Sequence, residues 1–199
     1  MQSIVYKNEF ILPPVDEAEA LRYAGARAGS EETCALLSKA VSLLSPLLSP
    51  AAAIAEVTLE RKGDALLIEG VPVFSKALLC HAEGQATAHL FCATVGIAVD
   101  RCIRRSASSS LALSHMLSAV ATERVEALCD ALCLSVGGKT VRLSPGYADI
   151  PLSFNKDILQ LLDCQRHLGV TLTESLLMTP TKSVTAIVFK KISRKDASL

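Results

Sequence analysis

The chain has 199 residues, 50% of them hydrophobic and 20% charged, a composition that excludes an intrinsically disordered protein. Twenty basic residues balance twenty acidic ones, so nucleic acid is not an expected partner. The longest stretch without a charged residue, 106–122, is shorter than the roughly 20 apolar residues of a membrane span, and residues 1–7 lack a signal-peptide pattern. We therefore expect a cytoplasmic protein with no membrane partner.

The first half of the chain is predicted to mix helices and strands. Ser30 is a suitable N-cap for a helix that carries Glu31 and Glu32 at its positive end. The tripeptide Lys62-Gly63-Asp64 separates two β-rich runs and indicates a hairpin. In chain order the predicted elements are helices at 16–28 and 31–44, strands at 53–61 and 65–69, a short helix at 73–80 and a buried strand at 86–94.

The second half is predicted to begin with a long helical region and to end in a strand. Apolar spacing predicts helix over 97–136, with an interruption at the three serines 108–110 and an end at the glycine pair 137–138. A helix over 158–167 and a β-branched strand over 183–192 follow. This order indicates an α+β fold: a single domain, 1–199, with a largely antiparallel sheet and flanking helices.

The seven cysteines form no C-x-x-C pair, and their odd number does not suggest a disulfide framework. Cys129 and Cys133 share a helix face with apolar neighbours, so we predict that they are small buried side chains. The four histidines form no H-x-x-H or H-E-x-x-H pattern, and we expect no bound metal.

A more informative pattern is the hexapeptide Arg142-Leu143-Ser144-Pro145-Gly146-Tyr147. Proline followed by glycine favours a type II turn whose main chain can hold a ligand. The Arg142 fork suits a carboxylate, and Tyr147 offers an aromatic face to an adenine ring or a sulfonium. Taken alone, the hexapeptide is more typical of an ordinary Pro-Gly turn with a surface arginine and a half-buried tyrosine than of a ligand site.

A second motif, Gly169-Val170-Thr171-Leu172-Thr173-Glu174-Ser175, follows the loop after a predicted helix. Together the two motifs resemble the activation domain of cobalamin-dependent methionine synthase, whose signature is R-x-x-P-G-Y, a helix, and G-[VM]-x-L-T-E-S before a final strand. Within the second motif, Glu174 is either a site residue or part of a polar cap.

The resemblance covers roughly residues 16–190 and is strongest over 86–190. The run Cys92-Ala93-Thr94-Val95-Gly96 resembles a strand end of the family, and 19–23 resembles the start of free-standing relatives. The segment 123–130 resembles the helix in which the family keeps a glutamate near its ligand, and Glu126 is the best match.

The resemblance implies that S-adenosylmethionine binds at Glu126, Arg142, Ser144, Gly146 and Tyr147. It also implies a partner, a corrinoid-binding methionine synthase module that carries cobalamin, with a flavoprotein or a ferredoxin as electron donor. The expected function is that of a free-standing reactivation subunit that supports reductive remethylation of cobalamin and is not catalytic alone.

Some family features are not found in the sequence. We place no N-terminal aspartate and no tyrosine at 194–197, both ligand contacts of the family, and there is no corrinoid-binding D-x-H-x-x-G motif. One alternative is therefore an interaction module of the same fold that has lost S-adenosylmethionine binding. Another is an enzyme with a cysteine nucleophile, but Cys80 and His81 are adjacent in a predicted helix, which points their side chains apart. The basic residues at 190–195 are either solvated or dock an acidic partner.

Overall fold

The computed structural model describes residues 5–7, 10–26, 30–137 and 139–191. The helices are α1 (Glu17–Tyr23), α2 (Glu31–Leu44), α3 (Lys76–Ala82), α4 (Ile97–Ala107), α5 (Leu111–Val136), α6 (Phe154–Leu161) and α7 (Cys164–Leu168), with a short 3₁₀ turn at Ser45–Leu47. The strands are β1 (Val5–Lys7), β2 (Ala51–Lys62), β3 (Ala65–Ile68), β4 (Val71–Phe74), β5 (Thr87–Thr94), β6 (Thr140–Leu143), β7 (Thr171–Leu172), β8 (Met178–Thr179) and β9 (Ser183–Lys190).

Seven of these strands form one sheet in which every pairing is antiparallel. The order is β4-β3-β2-β5-β9-β6, and β1 pairs with the first part of β2. The strands β7 and β8 form a separate two-stranded ribbon. The predicted α+β fold with a largely antiparallel sheet is therefore confirmed.

The sheet is buried on both faces because side chains of the central strands alternate between two cores. Ala52 and Ile54 of β2 pack with Leu128 and Leu132 of α5, whereas Val57 belongs to the opposite core. That opposite core is closed by residues of α3, α6 and α7. The first half of α5 packs in a third cluster with α1, α2 and α4, so α5 takes part in two of the three apolar clusters.

Local signals in the sequence predicted several boundaries correctly. The hydroxyls of Ser30 and Ser110 cap α2 and α5 by accepting hydrogen bonds from the amides of Thr33 and Leu113. The predicted hairpin turns at Gly63, whose φ is +60°, and α5 ends at Gly137 with φ +81°.

Other predictions need correction. The predicted helix at 73–80 is wrong in its first part, because Val71–Phe74 pairs with β3 and the helix starts only after the cap residue Ser75. The predicted helix at 158–167 is two helices, because Asp163 has a left-handed φ of +45° that no regular helix tolerates. The helix predicted over 16–28 starts one residue later, at Glu17, with Asp16 as its N-cap, and ends at Tyr23. The last residues of the predicted elements at 16–28 and 183–192 lie outside the described residues.

No helix in the described part of the chain is long and apolar enough to cross a membrane.

The loop after β6, residues 144–153, contains Pro145 and Gly146 and is here named the Pro-Gly loop; Asp149 fastens it to the start of helix α3. Its carboxylate accepts hydrogen bonds from the Ser75 hydroxyl at 2.6 Å, from the Lys76 amide at 2.6 Å and from the Ala77 amide at 3.2 Å. These bonds cap the start of α3 and fix the end of the loop that follows β6. The Ser75 hydroxyl and the Lys76 amide hold the pKa of the Asp149 carboxyl below its usual value.

We predict a pH-dependent loss of stability when Asp149 is changed to Asn. A lowered pKa means that the ionised carboxylate stabilises the fold above its unfolded pKa of about 3.9, and that this contribution is lost as the pH falls through the lower folded pKa. Asp149→Asn should therefore lower the melting temperature at pH 7, and its difference from the parent should shrink progressively below about pH 4.

Thermal unfolding followed by circular dichroism from pH 7 to pH 2 measures this difference. Asp64→Asn, at the exposed turn between β2 and β3, is the matched control and should show no such pH-dependent difference. A melting-temperature difference for Asp149→Asn that is equal at pH 7 and pH 2 would contradict the assignment.

Candidate functional site

The predicted site residues Glu126 and Arg142 meet where α5 crosses the edge strand β6. Nη2 of Arg142 donates a hydrogen bond to Oε2 of Glu126, and Nη1 of Arg142 lies 3.9 Å from Oδ1 of Asp130. Glu126 and Asp130 are one helical turn apart on α5, so both face the strand. The structure thus brings together two groups that are 16 residues apart in sequence.

The second terminal nitrogen of Arg142 is short of an acceptor. Nη1 is buried and has no hydrogen-bond partner among the described residues. A buried donor without an acceptor costs free energy, and polar groups in this state are commonly found at ligand sites. Arg142 therefore retains hydrogen-bonding capacity for a carboxylate in addition to Glu126.

The loop after β6 forms the predicted type II turn. The amide of Tyr147 donates to the carbonyl of Ser144 at 3.1 Å, and Gly146 has φ +88°. The expectation that the main chain of this turn can hold a ligand needs correction for two amides. That of Tyr147 closes the turn, and that of Gly146 donates to the carbonyl of Ile150 at 2.9 Å.

A cleft of about 590 Å³ opens beside the Arg142–Glu126 pair. Residues 10–16, here named the N-terminal strap, form one wall of this cleft together with helix α1, which follows them. The lining residues of this wall are Pro13, Pro14, Asp16, Glu19 and Tyr23. The other wall is the face of α5 that carries Glu123, Glu126 and Asp130, closed by Arg142 of β6. This first cleft has a size typical of small-molecule sites.

A second cleft, of about 470 Å³, lies on the other side of Glu126. It is lined by Ser144 and Pro145 of the loop, by Leu152 and by the segment 176–178. Its floor contains Asn155 of α6, 3% exposed, whose Oδ1 accepts a hydrogen bond from the Thr185 hydroxyl. Glu126 therefore lines both clefts, and the second of them is also lined by the Pro-Gly loop.

The five predicted site residues are distributed around this region. Glu126 and Arg142 line the first cleft, and Ser144 and Glu126 line the second. Gly146 and Tyr147 lie at the exposed tip of the turn, with 64% of Tyr147 accessible to solvent. The structure provides an aromatic ring at that tip, but the ring does not close either cleft.

Sequence reasoning missed the contribution of the N-terminal strap and α1. The sequence analysis identified no aspartate near the N-terminus as a site residue, whereas the structure places Asp16 in the lining of the first cleft. The amide of Asp16 donates a hydrogen bond to Oε1 of Glu123 at 3.3 Å. Asp16 is recognisable in sequence only as the cap of α1, whose Glu19 amide it binds at 3.0 Å. Residues 194–197, where the family has a tyrosine near its ligand, lie outside the described residues, as do the basic residues after 191.

The other sequence candidates do not join the site. Glu174 is exposed in the turn between β7 and β8, where the Thr173 hydroxyl accepts from the amide of Leu177 at 3.1 Å. Cys80 is exposed on α3, and His81 uses Nδ1 on the carbonyl of Ala77. Cys129 is fully buried, as predicted, whereas Cys133 is only half-buried, and burial raises the pKa of both thiols.

Over the described ranges, no group of three or more histidine, cysteine or acidic side chains could hold a metal ion.

Comparison with known proteins gives a matching family model and a similar fold. Residues 126–196 match the family model of the vitamin B12 dependent methionine synthase activation domain. Among solved structures, the chain is similar to the MetH reactivation domain bound to AdoHcy, with a TM-score of 0.72 and 19% identity over 94% of this chain and 78% of that one. No curated protein matches. The chain therefore has the fold of the methionine synthase reactivation domain and, over residues 126–196, the sequence pattern of the activation-domain family.

Proposed function

We propose that this protein binds S-adenosylmethionine beside Arg142 and Glu126 and serves as the reactivation subunit of a corrinoid-dependent methionine synthase. The observation that supports this most is the buried Arg142 Nη1, a donor without a hydrogen-bond acceptor among the described residues, at the edge of the first cleft. The similar reactivation domain was solved with AdoHcy, a ligand with the same amino-acid end.

Arg142 would hold the carboxylate of the ligand. Its guanidinium offers five donors, of which one Nη2 proton is donated to Glu126. A carboxylate that accepts from Nη1 satisfies a buried group and adds a charge-assisted hydrogen bond. The ion pair with Glu126 keeps the fork in place before the ligand arrives, which lowers the entropy cost of binding.

The charge of the first cleft favours a cationic ligand. Five of its lining side chains are acidic and one is basic: Asp16, Glu19, Glu123, Glu126, Asp130 and Arg142. Glu19 pairs with Arg22, and Glu123 with Arg124. Asp16 and Asp130 leave negative charge for an ammonium or a sulfonium, because opposite charges at short range stabilise each other in a partly desolvated cleft.

The second cleft would receive the adenosyl end of the ligand. Ser144 and Pro145 continue from Arg142 along the loop and line this cleft with the apolar side chains of Leu152 and Leu177. Apolar walls with a few polar groups are typical of sites that bind an aromatic base. Asn155 offers an amide at the floor.

S-adenosylmethionine supplies an electrophilic methyl group, and the corrinoid supplies its acceptor. The 199 residues contain no D-x-H-x-x-G motif, so the corrinoid would be carried by another module, which we propose is part of a separate synthase. The residues of this chain would bind and orient the ligand, while a flavoprotein or a ferredoxin delivers the electron. The chain alone would not be catalytic.

Two observations favour the alternative of an interaction module without a ligand. Glu126 already pairs with Arg142, and two amides of the Pro-Gly turn are used within the loop. In that case S-adenosylmethionine would not bind, and a direct titration separates the two functions.

We predict that S-adenosylmethionine binds the parent chain and that Arg142→Ala weakens binding. The loss of a charge-assisted hydrogen bond should cost about 1.5 to 3 kcal/mol, which raises Kd roughly 10- to 150-fold. Arg142→Lys should also bind more weakly than the parent, because a single ammonium does not reproduce the fork. Isothermal titration calorimetry measures all three.

Arg105→Ala, at an exposed position in the last turn of α4, is the control and should bind like the parent. If Arg142→Ala binds as tightly as the parent, the carboxylate does not contact this residue. If the parent itself does not bind, the interaction module replaces the proposed function.

We further predict activity only in the presence of a partner. Mixed with a corrinoid-carrying synthase fragment, S-adenosylmethionine and a one-electron reductant, the chain should accelerate cobalamin remethylation, because it converts a bimolecular encounter into an oriented one. The cobalamin absorbance spectrum reports the rate. Arg142→Ala should reduce the acceleration, and consumption of S-adenosylmethionine by the isolated chain would contradict the proposal.

A further inference from the structure

The N-terminal strap is held against α5 by a buried ion pair. Arg124 donates from Nε and Nη2 to the carboxylate of Glu123, and the two side chains are only 4% and 6% exposed. Charged side chains are rarely this buried unless they are paired and hydrogen-bonded. Neither residue belongs to the two sequence motifs, and the ion pair is separate from that of Arg142 with Glu126.

The remaining hydrogen bonds of this pair go to the strap. Nη1 of Arg124 donates to the carbonyl of Pro13, Nη2 donates to the carbonyl of Pro14 at 3.1 Å, and the amide of Asp16 donates to Oε1 of Glu123 at 3.3 Å. Two successive prolines have no amide protons with which to join a strand, so the strap depends on outside donors and acceptors. Arg124 and Glu123 supply them.

The strap residues held in this way are wall residues of the first cleft. Pro13, Pro14 and Asp16 line it opposite Glu126 and Arg142. The preceding part of the strap is fixed differently, because Phe10 and Leu12 pack on the apolar cluster beneath α5. The ion pair therefore sets the position of the cleft wall, whereas apolar packing keeps the strap on the protein.

We propose that Glu123 and Arg124 are positioning residues that hold residues 13–16 as a wall of the ligand site. The proposal rests on the proposed function, because the ligand of this wall is taken to be S-adenosylmethionine. On this proposal, part of the free energy of ligand binding comes from residues 13–16, which lie more than 100 residues before the two sequence motifs. Arg124 lies outside the cleft lining and acts through the strap, whereas Glu123 both lines the cleft and accepts the hydrogen bond from the Asp16 amide.

The test replaces both charges at once. Removing one partner would leave a buried unpaired charge, which is strongly destabilising, whereas replacing both by apolar residues of similar volume is often neutral. The double variant Glu123→Leu with Arg124→Met should therefore fold but lose the bonds to Pro13, Pro14 and Asp16. We expect its Kd for S-adenosylmethionine to rise about tenfold, the equivalent of one hydrogen bond.

Hydrogen exchange provides a readout that does not need the ligand. The amides of Val15 and Asp16, the two residues of 13–16 that carry an amide proton, should exchange faster in the double variant, while those of the buried strand β5 keep their protection. The control is Ile68→Val, which removes a buried methyl group from β3, on the far side of the sheet, and so lowers the stability of the fold away from the cleft. This variant should leave both the Kd for S-adenosylmethionine and the hydrogen exchange of the strap unchanged.

The outcomes separate this inference from the proposed function. If the parent binds S-adenosylmethionine and the double variant binds equally well, the positioning role is wrong and the proposed function stands. If the parent does not bind, the proposed function fails and this inference fails with it. If the double variant does not fold, Arg124→Lys decides: a severalfold weaker Kd supports the role, and an unchanged Kd overturns it.

Discussion

The site depends on the fixed rotation of helix α5. This helix seats Leu128 and Leu132 on the sheet and Leu117 among the other helices. Fully burying a side chain of this kind stabilises a fold by roughly 1.5 to 3 kcal/mol, so a rotation of α5 would disrupt two apolar clusters at once. The rigidity that orients the site therefore comes from packing.

The same rotation presents a stripe of charged groups on the opposite side of the helix. Glu123, Glu126 and Asp130 are spaced by three and four residues, which places them on one face. They meet two different parts of the chain: the strap contacts Glu123, and Arg142 of the edge strand binds Glu126 and comes within 3.9 Å of Asp130. An overall neutral chain thus concentrates negative charge in one cleft, beside a single guanidinium with spare hydrogen-bonding capacity.

Local chemistry made much of the fold predictable from sequence. The serine caps of α2 and α5, the hairpin at Gly63 and the type II turn at Gly146 each depend on residues close in the chain. The errors arose where distant residues decide the structure. Val71–Phe74 is a strand because β3 lies beside it, and no short sequence pattern predicts that pairing.

In the candidate site too, residues in local motifs were predicted, whereas residues whose role depends on distant contacts were not. Arg142, Glu126 and Ser144 were identified from motifs, and the structure places them around adjoining clefts. The role of the strap was not predictable, because Asp16 carries only a helix-cap signal and its partner Glu123 lies 107 residues away. The burial of Arg124 was also hidden, since a charged residue in an amphipathic helix is normally expected to be solvated.

The most direct test of the account is a crystal structure of the protein with S-adenosylmethionine. The account predicts that the ligand carboxylate accepts a hydrogen bond from Nη1 of Arg142, with Asp16 of the strap on one side and the Pro-Gly loop on the other. Density for the ligand at any other place, or an Arg142 that contacts only Glu126 while the ligand is bound, would contradict it.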